Sequence, residues 1–231
     1  METLIGSRLF WLALLACVLP LLGALGSRWQ LWPYSLGLLL LLAGLLLALP
    51  VLGLALWQRQ WFALLLACLP LLVLLPPLIQ GLRLPVINDI STDLVSPPVL
   101  NAAARLRGPR HHAPNYPGPA TAEKQRAGWP TLGPLTLPLS PREVKPLVLD
   151  LVRERGWQRV DDQGADNMQI EAVVSSRWFG FEDDVAIRLT AQDGGTRVDM
   201  RSASRVGKSD FGANAGRVQD FLADLDHKFK E

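Results

Sequence analysis

The stretch WFALLLACLPLLVLLPPLIQGLRLPVINDISTD (61–93) decides how this chain is built, because it passes from an apolar solvent to an aqueous one. Residues 61–79 hold no charge, and an apolar run near the ~20 residues that carry a helix across the hydrocarbon core reads as a transmembrane segment. Arg83 ends it, Leu84 closes the apolar third, and from Asn88 onward amides, carboxylates and hydroxyls take over. Two further runs of the same kind lie upstream. Residues 1–84 therefore form a membrane domain with three transmembrane helices, about 9–25, 36–56 and 61–79, and the lipid bilayer is the first partner the sequence implies.

Only Glu2, Arg8, Arg28, Arg59 and Arg83 carry charge in this third, at or beyond the ends of the apolar runs. Trp29, Trp32, Trp57 and Trp61 sit in the connections, where indole favours the headgroup layer. Pro20, Pro50 and Pro70 each remove a backbone donor and predict local bends. Ionisable groups that would line a transport path are absent from the spans, which argues against a channel or transporter. Gly37, Gly44 and Ala48 form a small-residue stripe that would let a larger membrane protein complex dock closely. Leu14-Leu15-Ala16-Cys17 resembles a lipoprotein cleavage box, but the apolar run continues to Leu25, so the N-terminus is expected to be retained. With three spans the chain ends lie on opposite sides. Arg8 and the free amine favour a cytoplasmic N-terminus, sending the large domain outward, to the periplasmic side of a bacterial inner membrane.

The net charge of +2 divides into +3 over residues 1–84 and −1 over the rest, so no basic surface suggests nucleic acid. Cys17 and Cys68 lie inside apolar runs, leaving the polar domain without a disulfide framework. Residues 85–138 read as an irregular linker with a polar motif, rich in Pro, Gly, Ala and Arg beyond Asn101. His111 and His112 there lack ligands at metal spacing and read as solvated.

Residues 139–231 read as a compact fold. Ser140-Pro141-Arg142-Glu143 has the marks of a capping box with Pro at the first helical position, followed by the stripe Val144, Leu147, Val148, Leu151, Val152. Pro146 predicts a kink or a later start. Three alternating stretches follow, 169–178, 185–190 and 196–206, with Asp193-Gly194-Gly195 as a hairpin turn. Phe211, Ala215, Val218, Leu222, Leu225 and Phe229 recur at helical spacing in a final helix. The alternation places Ile170, Ala172, Val174, Ser176, Trp178, Val185, Ile187, Leu189, Val198 and Met200 on one sheet face, against the helices. The fold class is α+β: a two-layer sandwich of a small antiparallel sheet with helices on one face. The other face then carries Glu171, Ser175, Arg177, Asp184, Arg188, Asp199, Arg201 and Arg205, expected as ion pairs on a wet surface worth about 0–1 kcal/mol each.

No reaction can be assembled from these residues. Gly207-Lys208-Ser209 lacks the first glycine of a phosphate-binding loop, though Arg205 and Lys208 near the last helix's start could hold an anion. Asp183 and Asp184 point to opposite sides of a strand, and no Ser/His/Asp or Cys/His set exists.

The segments Asn88-Asp89-Ile90-Ser91-Thr92-Asp93, Tyr116-Pro117, Ile170-Glu171-Ala172, 178–185 and 199–215 together resemble one family, the domain of unknown function 1499, from about Pro85 to the C-terminus. The resemblance implies an envelope or thylakoid-lumen setting and no cofactor. It makes Asp184, Arg201, Ser204, Arg205, Asp210 and Asn214 candidates for a shared site or structural network, to which the charge pattern adds Arg177, Arg188 and Lys208. The resulting expectation is a non-enzymatic interaction, assembly or accessory-subunit protein presenting the charged sheet face to a partner. The alternative is a binding module or enzyme for a small anionic or lipid-derived ligand, which requires a concave pocket.

Overall fold

The computed structural model describes residues 8–161 and 167–230. The chain divides into two compact units: one of residues up to Gln80 together with 176–180, the other of Gly81–Ser175 and Phe181 onward.

The first unit holds α1 (Arg8–Arg28), α2 (Tyr34–Trp57) and all but the last two residues of α3 (Trp61–Leu82), each helix long and apolar enough to cross a membrane. The α1–α2 hairpin is closed by small residues. A Cβ on Gly23 would strike the Gly37 carbonyl, and one on Gly44 would meet the Pro20 ring and, at 2.8 Å, the Ala16 carbonyl that Pro20 leaves without its usual amide partner. Ala48 is fully buried. The Gly37–Gly44–Ala48 stripe is therefore spent inside the hairpin rather than offered to a larger complex. A short connection brings α1 to it first, and without a hydrophobic drive in lipid, close van der Waals packing decides the pairing. Both hairpin turns end in a left-handed residue, Gln30 (φ 57°) and Arg59 (φ 55°). The Leu31 and Gln60 amides reach back to the Gly26 and Ala55 carbonyls at 2.9 and 2.8 Å, closing the helix ends. The same unit includes residues 176–180, where the Ser27 hydroxyl donates to the Phe179 carbonyl (3.1 Å) and Arg28 Nη1 donates to the Ser176 and Arg177 carbonyls (3.0 and 2.8 Å).

The second unit is the α+β sandwich. Its sheet runs β1 (Asp89–Ser91), β6 (Gly195–Ser204), β5 (Glu182–Gln192), β4 (Gln169–Ser175), β3 (Gln158–Arg159), with β2 (Leu135–Leu137) also paired to β6 and every pairing antiparallel. The β5–β6 hairpin turns at Asp193-Gly194, and Gly194 takes φ 84°. Gly195 at φ 154° has no room for a Cβ, because the Leu137 carbonyl of β2 lies against it. The α6 helix (Pro141–Glu154) starts with the expected reciprocal Ser140–Glu143 box, so its start is not delayed to Pro146, which lies inside it. With α7 (Ala213–Lys230) it packs Val144, Val148, Leu151, Val218, Phe221 and Leu225 onto Ile170, Ile187, Val198 and Met200, the face the alternation assigns.

The segment expected as an irregular linker has structure. It supplies β1, β2, α4 (Ala102–Arg105) and α5 (Pro119–Gly128). Leu100 and Ala103 pack on Ala186 and Ala203 of the sheet's second face. That face is therefore covered, and the wet charged surface is corrected to an interior: Glu171, Asp184, Asp199, Arg201 and Arg205 are all at most 4% exposed. Buried charges require full pairing, which the chain supplies from the very stretch that lacks periodicity.

Candidate functional site

Strand β6 puts Arg201 on the covered face, and Arg205, four residues on and just past the strand's end, follows on the same side. Arg201 binds Asp89 of β1 in a fork, Nε to Oδ1 at 3.0 Å and Nη2 to Oδ2 at 2.8 Å, and gives its remaining protons to the Pro98 and Pro114 carbonyls. Its guanidinium lies 5.6 Å from the centre of the Tyr116 ring. Arg205 donates Nε and Nη2 to Asp184 at 3.0 and 2.8 Å, and also reaches Glu182. Arg107 completes the group, giving Nε to the second Asp184 oxygen at 2.6 Å and the rest of its fork to the carbonyls of Ala203, His112 and Ala113.

Beside this network opens a cavity of about 580 Å³. Asn88, Asp89, Arg107, His112, Asn115, Ser204 and Lys208 supply its polar wall, and Val86, Ala113, Tyr116 and Pro117 its apolar wall. Tyr116 turns its ring to the cavity wall while its hydroxyl is buried with no hydrogen-bond partner among the described residues. Burial, reinforced by the Asp89 charge, pushes that phenol up to about 12. Burial also raises the Asp89 carboxyl, against the opposing pull of Arg201.

The remaining candidates fall into separate places. Arg188 pairs with Asp93 and Asp199 at 3.0 and 3.2 Å, alongside Arg197, in a second network. Burial would raise Asp93, but the Ser96 and Val95 amides with Arg197 and Arg188 hold it below the usual range. Asn214 is buried and links Ser202, Ser204 and the Asn88 carbonyl, and Arg217 joins this group to Asp183. Asp210 turns its carboxylate to the Gly212 and Asn214 amides at 2.8 and 2.9 Å, so the start of α7 already holds an anion of its own. Arg177 is exposed, outside the sheet, in the 176–180 segment. Only Ser204 and Lys208 of the candidates line the cavity directly, with Arg201, Arg205 and Asp184 behind its wall.

Four wall residues were given no place in a site by the sequence. Asp89 and Tyr116 stood in quoted motifs without a site role, His112 reads there as solvated, and Arg107 lay in a stretch with no pattern. One further residue has no sequence signal at all: Gln125 of α5, 1% exposed, which accepts from the Ser91 amide (3.0 Å) and donates to the Ser91 carbonyl (2.7 Å), acting as a strand partner for β1. Among the described residues no group of His, Cys, Asp and Glu could hold a metal ion.

Three membrane-length helices joined to an antiparallel α+β domain with a charged cavity define a membrane-anchored domain protein. The profile of the family described as Protein of unknown function (DUF1499) matches residues 89–225, and the chain belongs to that family. Among curated proteins, none matches it.

Proposed function

We propose that this is a non-enzymatic, membrane-anchored binding module whose domain lies on the periplasmic side of a bacterial inner membrane and holds a small ligand in the Tyr116–Lys208 cavity. The observation that carries the reading is the cavity itself. Its volume lies in the range of small-molecule sites, and two of its polar wall groups, Asp89 and Arg107, are held in place by buried ion pairs. The covered sheet face removes the support for a charged surface docking on a partner. A role as accessory subunit of a larger membrane complex then runs through the ligand or the lipid-facing helices.

Apart from Lys208, the charged groups of the wall are engaged: Asp89 is held in a fork and Arg107 has given its guanidinium to Asp184, while His112 turns Nε2 to the Gly207 carbonyl and Ser204 accepts from Asn214. Native mass spectrometry on the protein extracted gently from its own membranes tests the reading. An Ala113→Trp variant, which fills the cavity from its exposed apolar wall, serves as comparison. A small bound mass present in the natural protein and lost in the variant supports it, while bare protein in both, or a mass unchanged by the variant, overturns it. Orientation is checked separately by labelling Val95→Cys, at a 93% exposed position, with a membrane-impermeant thiol reagent on intact cells.

A further inference from the structure

The charge balance around the cavity points to the class of its ligand, an inference that rests on the binding reading above. Arg107, Arg201 and Arg205 stand in or behind the wall, and Asp89, Asp184 and Glu182 are bound to them. These charges cancel, three against three, and the two further charges felt at the wall, Arg126 at Tyr116 and Asp210 at Asp89, cancel each other in the same count. Lys208 is left over: it is exposed, lines the cavity, and makes no hydrogen bond or ion pair among the described residues. Asp210, two residues on, spends its carboxylate on the amides at the head of α7 rather than on Lys208.

The loop that carries Lys208 is held from two sides. The His112 amide donates to the Arg205 carbonyl at 2.8 Å, and His112 Nε2 lies 2.9 Å from the Gly207 carbonyl, which Asn88 also bonds. Gly207 sits at φ 87°, a conformation that suits glycine. The ammonium thus has no bonded counter-ion among the described residues, on a backbone held by hydrogen bonds. Nearby, the Ser204 hydroxyl accepts from Asn214 (2.9 Å) and keeps its own proton to give.

We propose that the cavity takes a singly charged oxyanion of the phosphodiester kind, seated on Lys208 and Ser204, with the uncharged organic part against the Tyr116 ring, Pro117 and Val86. One negative charge restores neutrality, and a charge-assisted bond to Lys208 is the strong contact available. A zwitterionic headgroup can offer its phosphate to Lys208 but brings a cation with it, so the excess positive charge of the site remains. Two sources carry the chemistry, a lipid headgroup and a free glycerophosphodiester. The wall residue Val86 follows Leu82, the last residue of α3, by only four positions, which favours the lipid.

The test uses the full chain in nanodiscs of phosphatidylcholine, with either phosphatidylglycerol in the bilayer or glycerophosphoglycerol in solution. Hydrogen exchange is followed in peptides covering 107–117 and 204–208. We expect exchange to slow about tenfold in at least one arm, to return to its starting rate in Lys208→Gln, and to stay slow in Lys208→Arg. Protection in the lipid arm alone assigns a headgroup, and protection in the soluble arm assigns a free ligand; both uphold the oxyanion class. No protection in either arm, or protection undiminished in Lys208→Gln, overturns it. A native ligand lost on filling the cavity, with neither probe protective, sinks this inference and leaves the binding reading standing.

Discussion

Replacing Asp184 by Asn separates a buried ionic network from a decorative one. Asp184 is fully buried and accepts from Arg205 at 3.0 and 2.8 Å and from Arg107 at 2.6 Å, with both Arg side chains at most 5% exposed. The amide keeps the shape but removes the charge and turns one acceptor into a donor facing an N–H. Breaking a buried pair on one side costs about 3–5 kcal/mol, because the partner charges stay behind in the interior. Arg205 retains Glu182 and Arg107 retains three carbonyls, so the lower part of that range, about 3–4 kcal/mol, is expected. The control is Asp150→Asn, whose partner Arg153 is 78% exposed and where at most about 1 kcal/mol is at stake. Hydrogen exchange of β5 and β6 amides in the full-length protein in nanodiscs reads both. The Asp184 variant should raise global-opening exchange about 10²–10³-fold and the control less than about fivefold. Comparable small effects in both variants would refute the view that the covered face is a dry, obligatory network.

Three other perturbations follow from the geometry. Gln125→Ala should expose the Ser91 amide and carbonyl to an unfilled interior and cost about 2–4 kcal/mol, read as faster exchange in β1 before β4; equal exchange in the two strands would contradict its role as a strand partner. Gly23→Val should force α1 from α2 by its clash with the Gly37 carbonyl, whereas Gly53→Val, with nothing within 4 Å, should be silent; the spacing is measured by disulfide crosslinking of Cys pairs placed across the hairpin. Tyr116 should titrate near 12 in the ultraviolet difference spectrum between the natural protein and Tyr116→Phe, against about 10 for an ordinary phenol. Since its folded-state value is raised, its contribution to stability is intact below pH 10 and is lost as pH rises through 12, so alkaline unfolding should be shallower in the Phe variant over that window.

The sequence by itself determined what depends on local period. The apolar runs 9–25, 36–56 and 61–79 require membrane helices, a Ser-Pro-x-Glu start requires α6, and alternation in 169–178, 185–190 and 196–206 places Ile170, Ile187, Val198 and Met200 on the helix side. The same alternation identified the charged residues of the second face but not their surroundings, because a period of two says which residues share a face and nothing about what lies on it. Tertiary structure decided that. Arg107 meets Asp184 across 77 residues and Asp89 meets Arg201 across 112, contacts made by a stretch whose Pro and Gly content hides any pattern. Burial then converts expected surface pairs into an interior network, since a charge without water must be matched by charge or by hydrogen bonds from wherever the chain can supply them. The stripe of Gly37 and Gly44 teaches the same lesson in lipid: composition shows that a close approach will occur, and only the fold shows that α1 is the helix that makes it.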